Sequence, residues 1–219
     1  MATYLVTGTA RGIGLALCQQ LQERGDTAIA VCRESSPELD ALGIRVETGI
    51  DITSGQTLKE LVQRLQGISL DVLVNNAGIL EEDSLDRLDF ESIQRQFEVN
   101  ALGTLRATQA LLPLLSQGSK IGIVTSRMGS IEDNSSGGYY GYRMSKVAVS
   151  MAGKSLAIDL KPRKIAVGIV HPGLVQTRMT DFTGISTGEA AHGIIQRLDH
   201  LTLDNSGTFW HANGEVLPW

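Results

Sequence analysis

Apolar and polar positions divide the chain into short apolar runs separated by stretches of helical period. The runs "TYLVT" (3–7), "TAIAVC" (27–32), "IRVET" (44–48), "LDVLV" (70–74), "KIGIVT" (120–125), "IAVGIV" (165–170) and "GTFWH" (207–211) predict strands. "LDVLV" is apolar at nearly every position, the pattern of a parallel strand buried on both faces. Helical periodicity covers 11–25, Ser54 to Leu65, about Phe90 to Leu115, about Gly138 to Leu160, and Ser186 to about Leu201. Ser35, Ser36 and Pro37 open one more short helix, with Pro suited to a first helical turn. Ser186 and Glu189 have the spacing of a capping box. Alternating strands and helices imply an α/β Rossmann fold: a doubly wound parallel sheet of about seven strands with helices on both faces. No repeat, low-complexity tract or linker breaks the pattern, so 1–219 reads as one domain.

Composition narrows the classes. Hydrophobic content of 42% and charged content of 20% are ordinary for a soluble globular protein. A net charge of −5 gives no general attraction to nucleic acid or to anionic membranes. The one basic cluster, Lys161, Arg163 and Lys164 around Pro162, reads as a solvated turn between a helix and a strand. No apolar run approaches the ~20 residues of a membrane span, and the first residues lack the basic region of a signal peptide. Cys18 and Cys32 lie in apolar stretches and read as small buried side chains of a reducing compartment, so a cytoplasmic location is expected. No Cys or His residues have metal-ligand spacing, so no metal is expected. His171, His192, His200 and His211 are scattered and read as structural. The acidic stretch "EEDSLDRLD" (81–89) reads as a solvated loop before a helix.

Chemistry concentrates at two places. "TGTARGIG" (7–14) joins the first strand to the first helix. Gly8, Gly12 and Gly14 permit a tight turn and close approach of backbone N–H groups to phosphates, and the helix N-terminus favours the anion. An acidic residue about 20 positions beyond the glycines would bind the ribose diol of NAD. Cys32 and Arg33 stand there instead. Arg33 suits a 2′-phosphate, Arg11 could reach the same group, and Glu34 opposes both, so NADP(H) is the expected cofactor.

The second place is "YYGYRMSK" (139–146), which holds three of the four tyrosines. Only Tyr142 has a lysine, Lys146, four positions on, where a helix brings side chains to one face. A Tyr pKa near 10 makes a poor acid or base at neutrality. An ammonium about 4 Å away could lower it by supplying ~4 kcal/mol at an effective dielectric near 20. Tyr142 and Lys146 are therefore an acid/base candidate, against the alternative of a packed ring beside a solvated lysine.

These segments, with four more, resemble the short-chain dehydrogenase/reductases over essentially the whole chain. "TGTARGIG" is similar to the family's TGxxxGxG loop, which extends the expected cofactor contacts to Thr9 and Ile13. "NNAG" (75–78) resembles the segment that supports the adenosine pocket, bringing in Asn76, Ala77 and Gly78. "VNALG" (99–103) resembles the segment whose Asn, here Asn100, belongs to the active site. "TSRMGS" (125–130) resembles the strand end that carries the catalytic Ser, matched by Ser126. "YRMSK" matches YxxxK, and "HPGLVQT" (171–177) is similar to PGxVxT beside the nicotinamide, bringing in Pro172, Gly173, Val175 and Thr177. Asp51 and Ile52 resemble the residues at the adenine amine and ring.

The resemblance implies that Tyr142 and Lys146 are the catalytic Tyr and its partner, Lys146 also holding the ribose. It implies that Asn100 holds a water linking Lys146 to solvent. Tyr139 and Tyr140 are then packing residues or a wall of the substrate pocket. Ser126 to Tyr142 is three residues wider than the family spacing, which keeps Ser130 as a rival for Ser126. "CRES" (32–35) and "SRMGSI" (126–131) resemble the sniffer and C-factor type of carbonyl reductase. The implied activity is NADP(H)-dependent interconversion of a small carbonyl and its alcohol. About eight residues (178–185) form the segment over the substrate, and Leu174, Met179 and Phe182 nearby favour hydrophobic substrates. A homodimer is allowed. The alternatives are a regulatory or signalling protein of C-factor type that keeps the nucleotide fold, and an epimerase or dehydratase of the extended branch.

Overall fold

Seven parallel strands form one sheet in the order β3-β2-β1-β4-β5-β6-β7. The computed structural model describes residues 1–219. The strands are β1 (Thr3–Thr7), β2 (Thr27–Val31), β3 (Arg45–Glu47), β4 (Leu70–Asn75), β5 (Leu115–Val124), β6 (Ala166–His171) and β7 (Phe209–His211). The helices are α1 (Gly12–Glu23), α2 (Pro37–Asp40), α3 (Gly55–Arg64), α4 (Phe90–Phe97), α5 (Thr104–Leu111), α6 (Tyr140–Asp159) and α7 (Thr187–Asp199).

Alternation along β1 sends Tyr4 and Val6 to one face and Leu5 to the other. The first face packs on Leu17 and Leu21 of α1 and Ile194 and Leu198 of α7. The second packs on Leu58 and Leu61 of α3, Leu111 of α5 and Val149 of α6. From β1 the chain builds outward through β2 and β3, then returns to place β4 on the other side of β1. That reversal opens a crevice at the carboxyl ends of the strands, where α/β sheets bind ligands.

Two details differ from the sequence reading. The helical stretch from Phe90 to Leu115 is broken: α4 runs into a π turn at Glu98–Gly103, then α5, then a 3-10 turn at Leu112–Leu114 that contains Pro113. β5 also begins at Leu115, well before the apolar run. Leu115 pairs with Leu70, and a register shift then pairs Lys120 with Val72. At the other edge, β7 is covered by the returning tail: the His211 amide donates to Glu215 and the Leu217 amide to Phe209. Ser36, Ser54, Asp89 and Ser186 cap α2, α3, α4 and α7 from within their own turns. Of the capping box at α7 only the Ser186 half forms.

Candidate functional site

The nucleotide half is built from missing side chains. α1 starts after Arg11 with no side-chain cap and no acidic residue in its first turn. Its first amides therefore have no side-chain acceptor and its dipole is unopposed. A Cβ on Gly14 would lie 2.2 Å from the Gly8 carbonyl oxygen, and one on Gly8 (φ +73) 2.7 Å from Ala77 Cα. The loop thus closes on itself and on the NNAG segment. The Asn76 amide donates to the carbonyls of Thr7 and Gly8 (3.0 and 3.1 Å), and the Thr7 hydroxyl accepts from the amides of Asn76 and Ala77. Asn76 is thereby used as a brace. Thr9 is fully buried, its hydroxyl donating to the Val31 carbonyl. Ile13 is half-buried on the first turn of α1.

After β6, Pro172 and Val175 are buried and Gly173 takes φ +93. Thr177 caps a short turn, with its Cγ2 3.5 Å from where a Cβ on Gly12 would stand. The PGxVxT segment therefore meets the glycine loop. Arg11 and Arg33 are exposed and their guanidinium groups make no ion pair or hydrogen bond within the protein. Asp51 uses Oδ1 on the amide and hydroxyl of Thr53 (2.9 and 2.8 Å), which leaves Oδ2 for a ligand. Ile52 is 7% exposed, its side chain filling the space beside Gly103 under the π turn. It belongs to the core packed on α3 and α5.

These residues fit a dinucleotide: an uncapped helix start, a loop closed too tightly for a Cβ at Gly8 or Gly14, and two exposed guanidinium groups, Arg11 at the start of α1 and Arg33 just after β2.

The chemistry half gathers on α6. Tyr142 and Lys146 are both buried one turn apart. Lys146 Nζ donates to the Val124 carbonyl at the end of β5 (3.1 Å) and lies 3.4 Å from where a Cβ on Gly78 would stand. The turn Arg127–Gly129 lies directly on the backbone of α6, since a Cβ on Gly129 would come 2.7 Å from the Lys146 carbonyl carbon. That contact explains why Ser126 is followed by two residues and a glycine. The Ser126 hydroxyl accepts from the Met128 amide and sits beside Tyr142. Ser130 instead accepts from the Asp133 amide, so Ser126 is the serine that meets the phenol.

The electrostatics correct one expectation. Burial pushes the Tyr142 phenol up to about 12, and the Ser126 hydroxyl pulls the other way without making a hydrogen bond of normal geometry. Burial pushes Lys146 down to about 8. The four-residue spacing does bring the two together, but Nζ lies over the ring, 5.6 Å from its centroid, and is turned to the Val124 carbonyl. Lys146 therefore does not lower the phenol in the protein alone; desolvation outweighs it.

Asn100 sits in the π turn at 1% exposure. Its Nδ2 donates to the Ile79 carbonyl (2.8 Å) and to Ser145 Oγ (2.9 Å), and its Oδ1 accepts from the Ile79 amide (2.8 Å). Ser145 in turn donates to the Tyr142 carbonyl at 2.7 Å. Both Nδ2 protons of Asn100 are thus used within the protein, while Oδ1 accepts a single hydrogen bond and keeps one lone pair. Ser145 was not singled out by the sequence, although "YRMSK" contains it.

Tyr139 adopts a left-handed conformation (φ 51) and its hydroxyl donates to Glu82, while Tyr140 is exposed. The acidic stretch is also not simply solvated. Glu81 pairs with Arg95, Asp89 caps α4, and Asp83 is 9% exposed with its carboxylate on the amides of Tyr140 and Gly141.

A family model described as short chain dehydrogenase matches residues 2–185. The 1-hydroxy-2-glutathionyl-2-methyl-3-butene dehydrogenase of Rhodococcus sp. (strain AD45) is 43% identical over 226 aligned positions, covering 100% of both chains. The carbonyl reductase Sniffer of D. melanogaster superposes over 100% of both chains with a TM-score of 0.93 at 28% identity. An NADPH-bound carbonyl reductase from chicken fatty liver gives a TM-score of 0.91 at 26% identity, covering 100% of this chain and 99% of its own. With the parallel sheet, the glycine loop and the buried Tyr142–Lys146 pair in place, the chain belongs to the short-chain dehydrogenases and is an oxidoreductase.

Proposed function

We propose that the 219 residues form one NADP(H)-binding domain that reduces ketones or aldehydes to alcohols. The observation that carries this reading is the meeting of Ser126, Tyr142 and Lys146 at the strand ends that also carry the uncapped start of α1. The nicotinamide supplies the hydride when bound. The amides of the glycine loop and first turn of α1 bind the pyrophosphate, with Arg11 and Arg33 on the 2′-phosphate and Asp51 Oδ2 on the adenine amine. Lys146 holds the ribose hydroxyls. Tyr142, protonated at neutral pH because its folded pKa is about 12, donates its proton to the developing alkoxide. Ser126 donates a hydrogen bond to the same oxygen, where charge grows in the transition state.

The substrate side is apolar: Leu174, Met179 and Phe182 are exposed around the segment after Thr177. Phe182 and its neighbour Asp181 both adopt left-handed backbone conformations, and Gly184 closes the segment against Leu174. So short a cover distinguishes substituents weakly, since each methylene contact changes discrimination by only ~1–3 kcal/mol. A homodimer would use the exposed Met144, Met151 and Ile158, which form one stripe along α6. The two free buried cysteines fit a reducing, cytoplasmic setting. A second reading is favoured by the Rhodococcus relative: oxidation of an alcohol that carries a glutathionyl group.

The test is a panel of aromatic, aliphatic and polar carbonyls with NADPH and NADH, run beside glutathionyl alcohols with NADP⁺ and NAD⁺. Turnover of several unrelated apolar carbonyls with NADPH supports the first reading. Turnover confined to glutathionyl alcohols supports the second. Inactivity on the whole panel with intact NADPH binding points to the regulatory alternative.

A further inference from the structure

Residues 79–83 lead from the NNAG segment to the start of α6, and alternate residues of this strap are gripped. The Asn100 amide holds both the N–H and the C=O of Ile79. Gln96, fully buried, repeats the pattern on Glu81: its Oε1 accepts from the Glu81 amide (3.0 Å) and its Nε2 donates to the Glu81 carbonyl (3.1 Å). Asp83 then meets α6. Its carbonyl accepts from the Tyr139 amide (3.0 Å), and its carboxylate accepts from the amides of Tyr140 and, at 2.9 Å, Gly141. Gly141 is enclosed: a Cβ there would lie 2.6 Å from Gln96 Nε2, 3.0 Å from Ile93 Cα and 3.2 Å from Asp83 Oδ2.

An ionised carboxylate offers two acceptor-only oxygens, which two adjacent helix-start amides require. Its charge also suits the positive end of the helix. An amide side chain would turn one N–H group against another. Unlike the other helix caps, this one comes from 57 residues away. It therefore fixes the whole first turn of α6 relative to α4 and the strap, and Tyr142 is the next residue after Gly141.

We infer that Asp83 is a positioning residue: it holds the Tyr142 phenol in place against Ser126, through a strap whose other anchors are Gln96 and Asn100. The inference rests on Tyr142 being the proton donor. Misplacement of a reacting group by about 1 Å can cost on the order of 10²-fold in rate, so Asp83→Asn should lower kcat by roughly 10- to 100-fold. The dissociation constant of NADPH should stay unchanged, because the glycine loop and Lys146 are gripped elsewhere.

The experiment compares kcat and NADPH affinity in the parent, Asp83→Asn, Asp83→Glu and Asp86→Asn, with hydrogen exchange at residues 139–142. Asp83→Glu keeps the charge and both acceptors on a longer arm, so it should fold while displacing the helix start and lowering kcat. Asp86 is exposed in the same loop and its variant should behave as the parent. Faster exchange at Tyr140 and Gly141 with a fall in kcat and parent NADPH affinity is the expected result. Parent kcat in either folded Asp83 variant overturns the proposal, as does loss of kcat and NADPH affinity together. If Tyr142→Phe turns over like the parent, the proton-donor reading fails instead.

Discussion

The starts of α1 and α6 offer the same feature, a helix N-terminus at the carboxyl end of the sheet, and the chain uses them in opposite ways. At α1 no side chain caps the first amides, and Gly8 and Gly14 let the loop before them close on itself and on Ala77. At α6 the amides of Tyr140 and Gly141 are taken by Asp83. On the proposed function the first end receives an anionic ligand, and on the further inference the second holds the protein's own geometry. A helix terminus thus becomes a binding site or a positioning device according to whether one carboxylate reaches it.

The difference predicts opposite sensitivities. At α1 the addition of atoms should be the damaging change. Gly14→Ala places a Cβ 2.2 Å from a backbone oxygen, which no rotamer change can relieve. Its effect should reach or pass the upper end of the ~1–3 kcal/mol typical of overpacking, read as a lower denaturant midpoint together with loss of NADPH binding. A soluble variant with parent affinity would break the comparison.

At α6 the functional charge should oppose stability. Lys146 falls from 10.5 to about 8, so the unfolded chain binds the extra proton between those values. Its contribution to stability therefore rises with pH across that window and is flat below it. The shift corresponds to a penalty on the order of 3 kcal/mol at pH 7. Lys146→Met should unfold at higher denaturant than the parent at pH 7, lose this rise toward pH 10, and lose turnover. Tyr142 acts in the reverse sense: raised from 10.0 to about 12, it contributes stability below pH 10 that is lost as pH rises through 12. A Lys146→Met protein that is less stable at pH 7 would contradict the burial argument.

The smallest effect is expected at the nucleotide edge. Arg33→Ala removes one charge-assisted phosphate contact, worth ~1.5–3 kcal/mol, and should weaken NADPH about 10- to 150-fold while leaving NADH unchanged. Equal weakening of both cofactors would show that Arg33 does not read the 2′-phosphate.

How much of this was legible follows from distance along the chain. The glycine loop was readable because its constraint is steric and local: Gly8 and Gly14 touch each other, and the strand and helix around them are contiguous. Tyr142 and Lys146 were readable because helix period places them on one face and the match of "YRMSK" to YxxxK then chose between the acid/base and packing readings. The strap was not, because Asp83 and Gly141 are 58 residues apart and a buried carboxylate looks like any acid in "EEDSLDRLD". The π turn was hidden for a different reason: its residues, Glu98–Gly103, lie inside a stretch whose helical period continues on both sides. Pro113 was the available signal that the helix stops before Leu115. His171 and His211 looked unrelated until strand register set them side by side, their rings 5.0 Å apart. Burial, then His211, drives His171 down to about 3, so it is neutral at any working pH.

The account stands on Tyr142 as the proton donor, and one substitution addresses it. Tyr142→Phe keeps the buried ring and removes only the hydroxyl, so NADPH should bind with parent affinity while turnover of every accepted carbonyl disappears. Retained turnover in that variant, with matching losses in Tyr139→Phe or Tyr140→Phe, would contradict it.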